Sequence, residues 1–188
     1  MSSSTRMVQF FDEMRMKAFL EGEGRLSQVY RQEIVTRVAQ LAAQNFACKT
    51  MPYEVFNKTC NQVVSDVSKG QELPQTFRRD VRFDLIKCVL GEKIKIPDAE
   101  KVKDVVSKGF TSDFCGYWSQ ELIEAIEKLV MQYLPEEEFL DWDDFNMTCK
   151  VIVRQVKTHH KGYAESIWGK YEMKLSEILK RIVSTTAD

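Results

Sequence analysis

Apolar residues recur every three or four positions along most of this sequence, which is the spacing of an amphipathic α-helix. One such apolar face consists of Phe56, Cys60, Val63 and Val67. Glycine and proline interrupt the pattern at intervals that suit helix ends. No stretch of four to eight residues alternates cleanly enough between apolar and polar to predict a strand. The pattern therefore predicts an all-α fold of about eight helices.

Particular residues set the expected helix boundaries. Thr50 is a candidate N-cap, with Pro52 in the first turn of the helix that follows it. Asp141 is a candidate N-cap for a helix in the second half of the chain. A first helix is predicted near the N-terminus from four apolar residues at helical spacing: Met7, Phe11, Met14 and Ala18.

One pentapeptide occurs twice, as FNKTC at residues 56–60 and as FNMTC at residues 145–149. Aligning residues 53–67 with residues 142–156, an offset of 89, gives six identical positions out of fifteen. Three further positions pair similar side chains: Tyr53 with Trp142, Glu54 with Asp143 and Val63 with Ile152. Composition alone would give about one identity. This similarity indicates an internal repeat.

A second match lies upstream of the pentapeptides, where YRQEI at residues 30–34 aligns with WSQEL at residues 118–122 at an offset of 88. The two registers together predict an internal duplication. We therefore expect two tandem four-helix units, residues 1–93 and residues 94–188. The sequence leaves open whether the two units pack as one body.

The repeated FNxTC motif has a simple physical interpretation. Its Phe and Cys are four residues apart, so they lie on one helix face and are predicted to enter the core. The Thr hydroxyl can donate to the carbonyl four residues earlier. The motif is therefore read as a repeated packing unit, and the alternative is that Asn57 and Asn146 are paired contacts for a partner.

Composition and charge are those of a folded, nearly neutral chain. Of its 188 residues, 44% are hydrophobic and 29% are charged, and the net charge is −1. Residues 1–93 hold 14 basic and 11 acidic residues, whereas residues 94–188 hold 13 and 17. No apolar run is long enough to span a membrane, and acidic residues come too early for a signal peptide. No strong overall field draws the chain to nucleic acid or to acidic membranes.

Signatures of catalysis and of cofactor binding are missing from the sequence. It has no phosphate-binding glycine loop and no G-x-S-x-G motif. The two histidines, His159 and His160, are adjacent and are predicted to lie at a helix end, where they complement the helix dipole. The five cysteines contain no C-x-x-C pair and are predicted to be reduced, buried thiols of an intracellular protein. We expect no enzyme activity, no cofactor and no metal site.

Acidic residues cluster in LPEEEFLDWDDF, residues 134–145. The spacing does not fit a calcium-binding EF-hand loop, so the cluster is read as an acidic loop followed by a helix N-terminus. The alternative is a docking patch for a basic partner, with Trp142 as an aromatic anchor. The candidate partner-binding residues are Trp142, Asp143, Asp144, Asn146, Tyr53, Glu54 and Asn57.

Basic residues gather in RRDVRFDLIK, where Arg78, Arg79 and Arg82 partly share a helix face. Asp80 and Asp84 lie between them, so the segment is predicted to be a solvated face with i,i+4 charge pairs. The alternative is a nucleic-acid-associated regulatory protein that uses this basic helix face together with the 157–161 turn.

These observations favour a non-enzymatic interaction module, an adaptor or a structural subunit of a larger intracellular assembly, cytoskeletal or axonemal. Its partner is expected to be a helix or peptide of another protein, bound in a groove between helices. Self-association is a further option, and nucleic acid is the less favoured partner. The cytoplasm or cytoskeleton is the favoured location, and the nucleus stays open.

Overall fold

A computed structural model describes residues 6–111 and 118–186 of the chain, with residues 184–186 described by their backbone alone. Contacts divide the chain into two units, one ending at Gly91 and the other formed by Glu92–Thr186. Helices make up most of both units, and their strands are two to four residues long. The predicted all-α fold is therefore confirmed, with the addition of short strands.

Unit 1 places a strand at the centre of a small antiparallel sheet, with β2 and β3 on either side of β1. Val8 pairs with Met51, and Gln9 pairs with Leu90. The elements of unit 1 in chain order are β1 (Met7–Phe10), α1 (Glu13–Ala18), a π-helical turn (Phe19–Glu23), α2 (Arg25–Val29), α3 (Gln32–Phe46), β2 (Thr50–Pro52), α4 (Tyr53–Ser68), α5 (Phe77–Lys87) and β3 (Val89–Leu90).

Unit 2 has the same kind of sheet, with β5 and β6 on either side of β4. Ile94 of β4 pairs with both Phe139 and Thr185. The elements of unit 2 in chain order are β4 (Lys93–Lys95), α6 (Ala99–Thr111), α7 (Gln120–Tyr133), β5 (Glu138–Phe139), α8 (Trp142–His159), α9 (Glu165–Lys180) and β6 (Ser184–Thr186).

The two units share one order of elements. In each, the first strand becomes the centre of the sheet, the second strand precedes the FNxTC helix, and the third strand follows the last helix. This common order is what an internal duplication would produce. The duplication itself stays a prediction.

The predicted absence of strands was wrong, and the predicted first helix begins only at Glu13 instead of near Met7. Met7–Phe10 is β1, in which Val8 and Phe10 are buried while Met7 is half exposed. Met14, expected on the core face of the first helix, is 83% exposed. An alternation four residues long also fits a helical spacing, so only pairing with β2 and β3 distinguishes the strand.

Of the two predicted N-cap residues, Thr50 was wrong and Asp141 is confirmed. Thr50 lies in β2, and Pro52 takes the N-cap position of α4 instead of its first turn. Asp141 caps α8 as predicted, because its Oδ1 accepts a hydrogen bond from the backbone N–H of Asp144 at 2.8 Å.

The FNxTC motif lies in the core of each unit, as its spacing predicted. Phe56 and Phe145 are fully buried, and Cys60 and Cys149 are each 1% exposed. In unit 2, the Thr148 hydroxyl donates to the carbonyl of Asp144 at 3.0 Å, the predicted bond to the carbonyl four residues earlier.

Each motif Phe joins its helix to a neighbouring strand. The Phe56 ring lies 5.6 Å from that of Phe10 in β1, and the Phe145 ring lies 5.5 Å from that of Phe139 in β5. Such ring pairs are stabilising beyond the area they bury. The motif is thus the point at which helix and sheet meet in each unit.

The predicted solvated face of α5 was wrong, because Asp80 and Asp84 point inward. Asp84 is fully buried and accepts hydrogen bonds from the backbone N–H groups of Arg25 and Leu26, at 2.8 and 2.9 Å. These are donors that the start of α2 cannot satisfy within its own helix. Burial raises the pKa of the Asp84 carboxyl.

Asp80, 5% exposed, accepts a hydrogen bond from the Tyr30 hydroxyl at 2.7 Å. It also lies 3.5 Å from the Arg25 guanidinium. Burial and the bond to Asp80 raise the pKa of Tyr30 to about 12. The two carboxylates of α5 thus accept hydrogen bonds inside unit 1 and are not part of a solvated face.

A glycine permits close packing against the last helix in each of the two units. A Cβ added to Gly24 would overlap the Asp84 carboxylate, and a Cβ added to Gly109 would overlap the Ile178 side chain. The last helix of unit 1 therefore approaches the start of α2, and the last helix of unit 2 approaches α6, at a position where a side chain would clash. The contact is polar in unit 1 and apolar in unit 2.

We expect Phe56→Ala and Phe145→Ala each to lower the free energy of unfolding by about 3–5 kcal/mol, because each leaves a cavity at the helix–sheet junction. Urea denaturation followed by circular dichroism measures the change. The control is Met14→Ala, which alters a mostly exposed side chain and should change stability by less than about 0.5 kcal/mol. An unchanged stability for either Phe variant would contradict the core position of the motif.

We expect Asp84→Ala to destabilise the protein by about 1–3 kcal/mol, since it leaves two backbone N–H groups of α2 buried without an acceptor. Asp84→Asn keeps one acceptor oxygen and should lose less. Glu72→Ala, at an exposed position, is the control. Equal stability of Asp84→Ala and Glu72→Ala in urea denaturation would show that the carboxylate does not hold α2 in place.

Candidate functional site

Helices α8 and α9 lie side by side and run in opposite directions, which leaves a groove along their outer edge. Both are long amphipathic helices whose apolar faces are buried in the core of unit 2. Four contacts join them from one end to the other: Trp142 with Lys180, Asn146 with Ser176, Arg154 with Glu172, and Lys157 with Glu165.

The first opening of this groove lies near the start of α8 and has a volume of about 450 Å³. Next to it, Trp142 is 42% exposed, and the Lys180 ammonium lies 5.6 Å from the centre of its ring. The Ser176 hydroxyl donates to the side-chain oxygen of Asn146 at 2.7 Å. The residues that line this first opening are Asn146, Lys150, Glu172, Met173, Ser176, Glu177 and Lys180.

The second opening lies near the end of α8 and has a volume of about 660 Å³. A buried Trp168 and Gly169 form its apolar part, and a side chain at Gly169 would meet only open space. The remaining lining residues are Arg154, Lys157, Thr158, Lys161, Glu165 and Glu172. Because Glu172 lines both openings, we treat them as one surface, the α8–α9 groove.

Charge in the α8–α9 groove is unequal. The two openings are lined by five cationic side chains and three carboxylates. All three carboxylates already have a cationic partner: Glu165 with Lys157 at 2.6 Å, Glu172 with Arg154 at 3.3 Å, and Glu177 with Arg181 at 2.9 Å. The groove is therefore a basic surface on the more acidic half of the chain.

The structure brings together two of the predicted partner-binding residues, Trp142 and Asn146. Asn146 lines the first opening, and Trp142 stands beside it. Asp143 is exposed in the first turn of α8, and Asp144 is half buried there, with its backbone N–H bound to Asp141. Their role as partner contacts stays a prediction.

The remaining predicted residues, Tyr53, Glu54 and Asn57, lie on α4 of unit 1. Glu54 is exposed, and Asn57 is half buried. The Tyr53 hydroxyl accepts a hydrogen bond from the Arg82 guanidinium, which lies 5.9 Å from the centre of the Tyr53 ring. In unit 1 an arginine thus lies over the aromatic residue that aligns with Trp142.

The predicted basic face of α5 is only partly a surface. Arg78 is exposed and Arg79 is half buried, while Arg82 is directed at the rings of Tyr53 and Phe56. An arginine used to bind two aromatic rings is less available to phosphate groups. The nucleic-acid alternative stays a prediction that no contact in the described residues favours.

Several groove residues were not identified from the sequence: Lys150, Met173, Lys180 and Gly169. Their signal was present, since Met173 interrupts the polar face of α9 and Gly169 is a poor helix former inside a helix. Asp80 and Asp84 were missed as well, although they share the helical spacing of the buried Phe77 and Val81. In these cases the position of a residue on its helix, and not its type, agrees with its observed exposure.

The described histidines lie where the sequence placed them. His159 ends α8, and the Nδ1 atom of His160 lies 2.9 Å from the carbonyl of Val156. Among residues 6–111 and 118–186, no three potential ligands lie close enough to hold a metal ion. Nor does any helix in those ranges have the length and apolar character to cross a bilayer.

Cysteine environments differ more than predicted. Cys60, Cys88 and Cys149 are buried as expected, but Cys48 is exposed, and Cys115 lies outside the described residues. Burial raises the pKa of the Cys60 thiol to about 11 and that of the Cys149 thiol to about 12. Both side chains are therefore protonated at neutral pH.

We expect Cys48 to be the one fast-reacting thiol of the Cys115→Ser variant at pH 8, because only the thiolate of an accessible cysteine attacks a thiol reagent. Cys60, Cys88 and Cys149 should react only after unfolding. Absorbance during titration with an aromatic disulfide measures both phases. The control, Cys48→Ser with Cys115→Ser, should lose the fast phase; rapid reaction of three or more thiols in the folded protein would contradict their burial.

Comparison with known proteins assigns no family. No family model matches the chain, and no curated protein or solved structure matches it either. The function is therefore inferred from the geometry of the α8–α9 groove.

Proposed function

We propose that the protein is a non-enzymatic helical interaction module whose α8–α9 groove binds a helix or peptide of a partner protein. The observation that carries this proposal is an apolar anchor at the groove: Trp142 is 42% exposed and Met173 is 76% exposed. Exposed aromatic and methionine side chains beside a groove are typical of helix and peptide recognition. Methionine also adapts its shape to different partners.

Exposed apolar side chains concentrate on these two helices. Of the eight large hydrophobic residues exposed in the described ranges, four lie on α8 and α9: Trp142, Met147, Val151 and Met173. Met147 and Val151 are four residues apart, so they share one side of α8. Neither Met147 nor Val151 lines an opening of the groove, so the apolar support for the groove itself comes from Trp142 and Met173.

Most of the core residues of α8 and α9 lie on the sides of these helices that face away from the groove. The buried sides of α8 and α9 contribute Phe145, Cys149 and Tyr171 to the core, so a partner in the groove does not need to displace them. The side chains at the groove edge are held by single hydrogen bonds and surface ion pairs, which contribute little each and rearrange easily. Binding here is therefore compatible with an intact fold.

This role fits an adaptor or structural subunit of a larger intracellular assembly, cytoskeletal or axonemal. Support comes from the groove and from three thiols that are buried in the described residues, Cys60, Cys88 and Cys149. An environment that keeps thiols reduced suits such residues. A second copy of the chain is a further candidate partner.

We expect Met173→Glu and Trp142→Ala each to reduce partner recovery when the tagged 188-residue chain is used for affinity capture and mass spectrometry. Met173→Glu places a charge in the groove, and Trp142→Ala removes the aromatic anchor. The matched control is Met14→Glu, which makes the same change at an exposed methionine of unit 1.

Loss of the same partners in both groove variants, and their retention by Met14→Glu, is the expected result. Circular dichroism of each variant checks that the fold is intact. If both groove variants recovered every partner of the wild type, the α8–α9 groove would not be the interaction surface.

A further inference from the structure

We infer that the segment bound in the α8–α9 groove is acidic: an amphipathic helix that carries Asp or Glu along one side and large apolar side chains along the other. This inference rests on the proposed function, because it identifies the chemistry of the partner at the same groove. It differs from the sequence-based hypothesis of a basic partner at Trp142, Asp143 and Asp144.

The first support is charge that is not already used inside the groove. Within the described part of the chain, neither Lys150 nor Lys161 has a carboxylate at ion-pair distance, and one lies in each opening. The Lys180 ammonium faces the Trp142 ring. Cations without a partner at both ends of a groove favour an acidic ligand along its whole length.

The second support comes from the ion pairs at the groove edge. Arg154 and Lys157 pair with Glu172 and Glu165, and both cations are exposed, with 67% and 39% of their side-chain surface accessible. The Lys157–Glu165 pair is exposed on both sides, since Glu165 is 81% exposed, and such a pair contributes little to stability. A carboxylate of a partner can therefore take the place of Glu165 beside Lys157. Glu172, in contrast, is 14% exposed and keeps its pair with Arg154.

The third support is the position of the apolar anchors. Trp142 stands at one end of the groove, Met173 lies in its middle part, and Trp168 with Gly169 forms the apolar part of the other end. From Trp142 to His159 the groove follows about 26 Å of helix at 1.5 Å per residue. A partner helix of about four to five turns, with apolar residues at three levels, matches this length.

The acidic residues near Trp142 do not change this conclusion. Neither Asp143 nor Asp144 lines an opening of the groove. Both lie in the first turn of α8 behind the cap residue Asp141, where negative charge stabilises the helix dipole. Their position is explained by the start of α8 itself.

The test uses the 188-residue chain and two fluorescein-labelled synthetic peptides of eighteen residues. Both carry the same Leu and Phe residues at helical spacing, with Glu at the polar positions of one peptide and Lys at those of the other. Fluorescence anisotropy measures the dissociation constants at low and at physiological salt. We expect the Glu peptide to bind, more weakly at the higher salt, and the Lys peptide to bind at least about tenfold more weakly.

Two variants with equal net charge locate the site. Lys150→Glu combined with Lys161→Glu reverses one cation in each opening and should weaken binding of the Glu peptide by about tenfold. Lys58→Glu combined with Lys101→Glu reverses two exposed lysines that line neither opening and should leave binding unchanged. Equal effects of the two variants would show that overall charge, and not the groove, attracts the peptide.

The remaining outcomes separate this inference from the proposed function. Tighter binding of the Lys peptide, abolished by Met173→Glu, overturns the acidic partner but retains the groove as an interaction surface. Binding of neither peptide overturns the inference, and the proposed function is then decided by affinity capture with the Met173 and Met14 variants. Binding of the Glu peptide that survives Met173→Glu and the Lys150/Lys161 reversal overturns the inferred site.

Discussion

Burial of one phenylalanine in each unit is the constraint on which the rest of the structure depends. Phe56 and Phe145 lie near the starts of α4 and α8, each of which follows a short strand within two residues, and their rings pack against residues of the small sheets. Because a buried ring fixes the rotation of its helix, it also decides which residues face outward. In unit 2 that rotation brings Trp142 and Asn146 to the groove.

The two units share the same order of elements but differ in where they place polar side chains. Unit 1 places carboxylates in its interior, where Asp84 holds the start of α2, and it directs Arg82 over the aromatic rings of α4. Unit 2 has Ile178 against its first helix instead, and its last helix carries Ser176 and Met173 toward the groove.

Net charge is a poor guide to such a surface. The chain as a whole carries −1, and its second half is acidic, yet the groove of unit 2 is basic. Charges act over about 8 Å at physiological salt, so a partner responds to the side chains it touches and not to the total. Five cationic side chains line the two neighbouring openings, and they give the groove a local preference for negative charge that the net charge of the chain does not reveal.

The sequence by itself determined the helical character of the chain, the burial of the FNxTC motif and the cap of α8 by Asp141, because these depend on spacing within a few residues. Only the tertiary structure decided that Met7–Phe10 is a strand, since two to four residues take that form only when partners from distant parts of the chain pair with them. Tertiary packing also placed Asp84 inside and Met173 outside. Each side chain's exposure depends on the helix that packs beside it, and that neighbour lies too far along the chain for local spacing to predict.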